Sequence, residues 1–154
     1  MVERFEPREV EEKYTSTKKR LNHDNRRVVE ETENALVKMG RKPEFIPHLI
    51  KDINTPDNEL RRIVLQALGE VKTKEDRRIV IPHLLKSLSK DPHWSVKESA
   101  ALSLGKLREI TTLNALEKAR KGYSYPVQEA AKKAIAAIKK TAEFQKQTRA
   151  RKET

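Results

Sequence analysis

One twelve-residue pattern occurs four times in this chain, and that repetition constrains the fold more than any other feature. Residues 96–107 read VKESAALSLGKL. Small and apolar side chains fall at offsets 0, 3, 4, 7, 8 and 11: Val96, Ser99, Ala100, Ser103, Leu104 and Leu107. That spacing is one face of an amphipathic helix. Gly105 interrupts it at a cost of roughly 1 kcal/mol relative to Ala, which implies a second backbone passing close by. Residues 60–71 (LRRIVLQALGEV), 127–138 (VQEAAKKAIAAI) and, more degenerately, 28–39 (VVEETENALVKM) follow the same pattern. The starts of successive copies lie 32, 36 and 31 residues apart, and a period in the thirties signals a stacked array of helical units.

The segments ahead of these copies also match. Ile46-Pro47-His48-Leu49-Ile50-Lys51 returns as Ile81-Pro82-His83-Leu84-Leu85-Lys86, with Ile53 answering Leu88. These read as first helices, each with a Pro near its start, where the missing amide costs little. The remaining first helices are expected at 7–21 and 111–120, the latter turning Leu113 and Leu116 inward. Asp24, Thr55 and Asp91 are placed to cap second helices, and Gly122-Tyr123-Ser124-Tyr125-Pro126 supplies the last turn. No segment alternates as a strand would. The expectation is an all-α superhelix of four antiparallel pairs, at 7–40, 44–72, 77–108 and 111–140, with a polar basic tail at 141–154. Two amphipathic helices cannot enclose their own apolar face, so neighbouring pairs must bury it. Gly69 and Gly105 share one offset, with Ala136 equivalent in the fourth unit, and a small residue there suits close stacking.

The residues Asp91-Pro-x-x-x-Val96-Lys97-x-x-Ala100-Ala101-x-x-Leu104-Gly105-x-Leu107 resemble the HEAT-like repeat, in the short form also found in phycobilisome lyases. The resemblance covers 44–140 well and 7–40 weakly. It implies a scaffold or adaptor that binds macromolecules along an inner surface lined by second helices. HEAT-like iron hydroxylases use His-Glu dipeptides as ligands. Here His23, His48, His83 and His93 precede Asp24, Leu49, Leu84 and Trp94, so that pattern is absent. HEAT-like DNA glycosylases put aromatic and acidic residues in a basic cleft, a poor match to a chain with one Trp. A lyase-like enzyme subunit rests on the repeat alone.

With no Cys, disulfides and thiolate metal sites are excluded, and no apolar run reaches the length of a membrane span. The acidic N-terminus does not read as a secretory signal, which makes the cytoplasm the default compartment. No Ser/His/Asp arrangement or phosphate-cradling glycine loop is evident, so neither catalytic residues nor cofactors are expected. His48 and His83 hold equivalent repeat positions roughly 10 Å apart, too far to share one metal. Trp94 is expected to pack between repeat turns.

Charge carries the functional signal. The chain's net charge is +11, and residues 117–152 hold eleven Lys/Arg against three acids, a net +8. Residues 1–12 carry five Glu against two Arg. The candidate macromolecule-binding residues are Lys118, Arg120, Lys121, Lys132, Lys133, Lys139, Lys140, Lys146, Arg149, Arg151 and Lys152, with Arg61, Arg62 and Lys97 as a second contact on neighbouring second helices. Tyr123 and Tyr125 beside Lys118, Arg120 and Lys121 either stack bases or cover the last core layer. The pattern suits an extended basic arm on an anionic macromolecule, RNA or a ribonucleoprotein such as a ribosome first, gripped through its phosphates. An acidic protein partner is the alternative.

Overall fold

The protein's structure, a computed structural model, describes residues 5–153; residues 1–4 of the acidic N-terminus and residue 154 of the tail lie outside the description. The described residues form eight α-helices and no strand. They are α1 (Pro7–Lys19), α2 (Arg26–Met39), α3 (Ile46–Asp52), α4 (Asn58–Leu68), α5 (Lys74–Lys90), α6 (Trp94–Leu107), α7 (Leu113–Arg120) and α8 (Tyr125–Glu153). Short 3-10 turns follow α1 and precede α3 and α7. The helices alternate as first and second members of four pairs, and each second helix packs on the next: α2 on α4, α4 on α6, α6 on α8.

The core is a single row of aliphatic side chains threading all four pairs. Leu49, Leu84 and Leu116 hold the same place in α3, α5 and α7, and all are fully buried, with Phe45 closing the α3 end. Leu65, Leu68, Ala100, Leu104 and Ile138 face them from the second helices. Each such Leu contributes on the order of 1.5–3 kcal/mol by leaving water. No pair could bury this row by itself, which is why stacking is obligatory.

Glycine sets the spacing between second helices. A Cβ on Gly69 would lie 2.7 Å from Cβ of Ser103 and 3.0 Å from its Cα; one on Gly105 would lie 2.8 Å from Cα of Ala134. Ser103 also donates from its hydroxyl to the Leu65 carbonyl at 2.6 Å, a buried bond between α6 and α4. Gly40, which the degenerate first copy hid, serves the first junction: a Cβ there would collide with the Ala67 carbonyl. Ala136 has no following helix and is exposed. The first helices have no such seam, and grooves open between α3 and α5 and between α5 and α7.

Four local expectations are corrected. The caps sit one or two residues later than expected: Asn25 accepts from Arg27 N, Asp57 from Glu59 N and Leu60 N, and His93 Nδ1 from Ser95 N. Thr55 and Asp91 instead brace the approach, accepting from Asp57 N and His93 N. Pro82 lies inside α5, because that helix starts at Lys74 under a Thr73 cap, two turns earlier than its repeat counterpart. The tail is no extended arm: α8 runs unbroken to Glu153. Trp94 does not pack between turns; the residue is 51% exposed, its ring stacked beside that of His93 with centroids 5.9 Å apart.

Candidate functional site

α8 is docked through its first four turns, where Val127, Ala130, Ala131, Ala134, Ile135 and Ile138 are buried. Its opening turn is set by Gln128, whose backbone N–H donates to the Ser124 carbonyl and whose side-chain amide donates to the Gly122 carbonyl. Beyond Ala142 every described side chain of the helix is exposed. Nucleation is already accomplished by the docked part, so Glu, Gln, Lys and Arg propagate the helix outwards.

On this rod the basic residues form rows. Lys132, Lys139 and Lys146 are seven residues apart, two turns or ~10.5 Å each, and Lys133 and Lys140 form a parallel row. All five are exposed, flanking the stripe of buried residues. Lys132 is joined to Glu129 at 2.9 Å. Lys133, Lys139, Lys140, Lys146, Arg149 and Lys152 have no ion pair among the described residues. Arg151 continues the exposed basic surface near the helix end.

The last turn adds Lys118, Arg120 and Lys121, all exposed, with Arg120 paired to Glu117 at 2.8 Å. Tyr123 is fully exposed and Tyr125 largely so, so neither covers the last core layer. Phe144 is likewise exposed, on the free part of α8.

Two of the three residues nominated as a second contact have structural partners. Arg61 makes a bidentate pair with Asp91, Nε to Oδ2 at 2.9 Å and Nη2 to Oδ1 at 3.2 Å. Its Nη1 donates to the carbonyls of Thr55 and Pro56. The two side chains are 12% and 8% exposed, so this is a brace between the turns of the second and third pairs rather than a docking surface. Arg62 bridges Glu33 of α2 and Glu59 of its own helix. A matching brace at the other edge is Glu70, held by Lys106 Nζ at 2.9 Å and Arg41 Nε at 3.2 Å. The hydrogen bond from Lys106 is the main cause that lowers the Glu70 pKa. Lys97 is different: it has no ion pair among the described residues and lines the groove between α5 and α7. That groove, about 740 Å³, is bounded by Lys86, Lys90, Lys97 and Lys118 over a floor that includes Leu85, Leu88 and Val127, with no acid on its walls. Spacing along single helices could not reveal it, because its walls come from four helices.

No group of three or more His, Asp or Glu suited to a metal ion occurs among the described residues. His48 packs against the ring of Tyr14, centroids 5.4 Å apart. The Tyr14 hydroxyl donates to Asp52 at 2.7 Å, and burial, reinforced by that carboxylate, drives its pKa far up. Lys18 completes this α1–α3 clasp, also at 2.7 Å from Asp52.

A family model for HEAT repeats matches residues 46–136, from the start of α3 into the docked part of α8. The chain belongs to the HEAT-repeat family. Its fold is also similar to the crystal structure of an engineered protein, with a TM-score of 0.52 at 18% identity over 88% of this chain and 68% of that one. A search of curated proteins found no match. HEAT repeats suit a scaffold for protein interaction, and no helix here is long and apolar enough to cross a membrane.

Proposed function

We propose that this HEAT-repeat protein binds an anionic macromolecule, RNA or a ribonucleoprotein such as a ribosome, through its last repeat and the free part of α8. The observation that carries this reading is the pair of lysine rows on an exposed helix, most of whose cations have no acidic partner among the described residues. Lysines two turns apart on a rigid rod neutralise phosphates along a strand without reading bases. Tyr123 and Tyr125, presented to solvent beside Lys118 and Lys121, add faces on which bases stack. Arg61 and Arg62 are left out of this surface because their charges are already committed.

A test replaces Lys139, Lys140 and Lys146 with Gln. Gln matches Lys in helix propensity, so α8 is retained while three unpaired charges go. Binding of a labelled single-stranded RNA, followed by anisotropy at low salt, is expected to weaken at least tenfold. Unchanged affinity would refute the reading.

The groove between α5 and α7 favours the second reading, an acidic protein partner. Four lysines above an apolar floor complement a segment with both acidic and apolar residues. That partner would bind selectively and be indifferent to added RNA, and Lys86→Glu with Lys90→Glu would abolish its binding while sparing the RNA.

A further inference from the structure

A second cavity lies on the opposite edge of the last two repeats, and it is built by the two places where this chain departs from its own repeat pattern. The first departure is the early start of α5, whose extra turns carry Lys74, Arg77 and Arg78. The second is the continuation of α8, which lays Thr141, Ala142 and Gln145 alongside them. The loop after α6 closes the space with Arg108, Glu109 and Ile110. The volume of this open cavity is about 390 Å³, within the range of small-molecule sites.

Three observations on these residues favour a ligand here, and the charge favours an anion. Its wall holds four cations, Lys74, Arg77, Arg78 and Arg108, against the single acid Glu109, and none of the four has an ion pair among the described residues. Second, Nε of Arg77 is buried and makes no hydrogen bond, alone in this among the described side-chain polar atoms. A buried donor without an acceptor is costly. Third, Arg108 ends α6 in the left-handed region, at φ 54° and ψ 37°, the sole described non-Gly residue with positive φ. Gly is the usual residue at such a helix end. Holding an Arg there incurs strain, and strain of this kind accompanies function. The acids Glu75 and Asp76 share the first turn of α5 but do not line the cavity.

The other wall is apolar: Ile81, Leu107, Ile110, Ile138 and Ala142. Ile110 is more than half exposed. A bare inorganic ion would leave that wall unused.

We propose that this cavity binds a small phosphate-bearing ligand, its phosphate held by Arg77, Arg78 and Arg108 and its ring-shaped or apolar body lying against Ile110, Ile138 and Ala142. Arginine suits the role because its planar fork meets two phosphate oxygens at once. The site is separate from the lysine rows of α8, none of whose residues lines the cavity.

The test is calorimetric titration of the full chain with adenosine 5′-monophosphate, adenosine and inorganic phosphate, on wild type, Arg108→Gly and Arg77→Gln. The expected result is saturable binding of the monophosphate, with adenosine and inorganic phosphate each at least tenfold weaker. Arg108→Gly removes a cation and relieves the left-handed strain together. It is expected to weaken the monophosphate at least tenfold while raising Tm by about 2–4 °C, so lost binding cannot be ascribed to lost folding. Arg77→Gln is expected to weaken binding to a similar degree. The Gln substitutions at Lys139, Lys140 and Lys146 should leave monophosphate affinity unchanged, which separates this site from the RNA surface. Absence of saturation at millimolar monophosphate would overturn the proposal. So would inorganic phosphate binding as tightly as the nucleotide, or both Arg variants binding like wild type.

Discussion

Gly105→Ala tests the stacking argument directly, because two known effects oppose each other in it. Within α6 the substitution gains helix propensity, about 0.8–1 kcal/mol. Across the junction the new Cβ would sit 2.8 Å from Cα and 2.9 Å from Cβ of Ala134. Both distances are shorter than carbon atoms tolerate, and the nearer atom belongs to backbone. α8 must therefore move as a body, not by one rotamer. Overpacking of this kind costs about 1–3 kcal/mol, and a rigid neighbour puts it in the upper half of that range. The net expectation is a loss of about 1–2 kcal/mol. Urea unfolding followed by circular dichroism at 222 nm measures it. Ala134→Gly in the same chain should rescue only part of the loss, since it removes the clash with the Ala134 methyl group and leaves the clash with the backbone carbon behind it. Gly122→Ala is the control: its Cβ would meet only the Ala119 carbonyl at 3.3 Å, and it should lie within about 0.5 kcal/mol of wild type. A Gly105→Ala protein as stable as wild type, or more stable, would refute the close-approach explanation of this glycine.

Further predictions concern the inter-repeat braces. Arg61→Ala strands Asp91, whose side chain is only 8% exposed, and should cost about 2–4 kcal/mol; removing both residues should cost less than the sum of the two single changes, as a double-mutant cycle would show. Glu70 has its pKa lowered from an ordinary value of 4.5 by Lys106 and Arg41. Its contribution is therefore complete above about pH 5 and is lost as the pH falls through the lowered value. The Tm gap between wild type and Glu70→Gln should be constant from pH 7 to 5 and narrow below 4.5; a gap that widens on acidification would contradict the assignment.

Much of this architecture is legible in the sequence because stacking imposes a period. The face from Val96 to Leu107 returns in four places, and the glycines at 69 and 105 mark where second helices touch. Gly40 was hidden because its copy is degenerate and the glycine itself lies three residues beyond the shared offset. The early start of α5 left no apolar trace: Lys74 to Arg78 are all charged, and Ile79 points outward, so Pro82 read as a start signal. The outer turns of α8 were missed for the complementary reason. A helix polar all round has no periodicity to find, and it forms here by propagating from a docked segment. At the site, charge alone cannot separate Arg61, engaged by Asp91, from Lys139, which is exposed with no ion pair among the described residues. That distinction is made by tertiary contacts thirty residues away in sequence.

If the last repeat and α8 neutralise phosphates as proposed, the salt dependence of RNA binding shows it most directly. For the full chain, log K should fall linearly with log salt, with a slope of roughly 0.7 for each phosphate contact. Replacing Lys139, Lys140 and Lys146 with Gln should lower the slope by about 2. A slope near zero, or one that the triple substitution leaves unchanged, would contradict it.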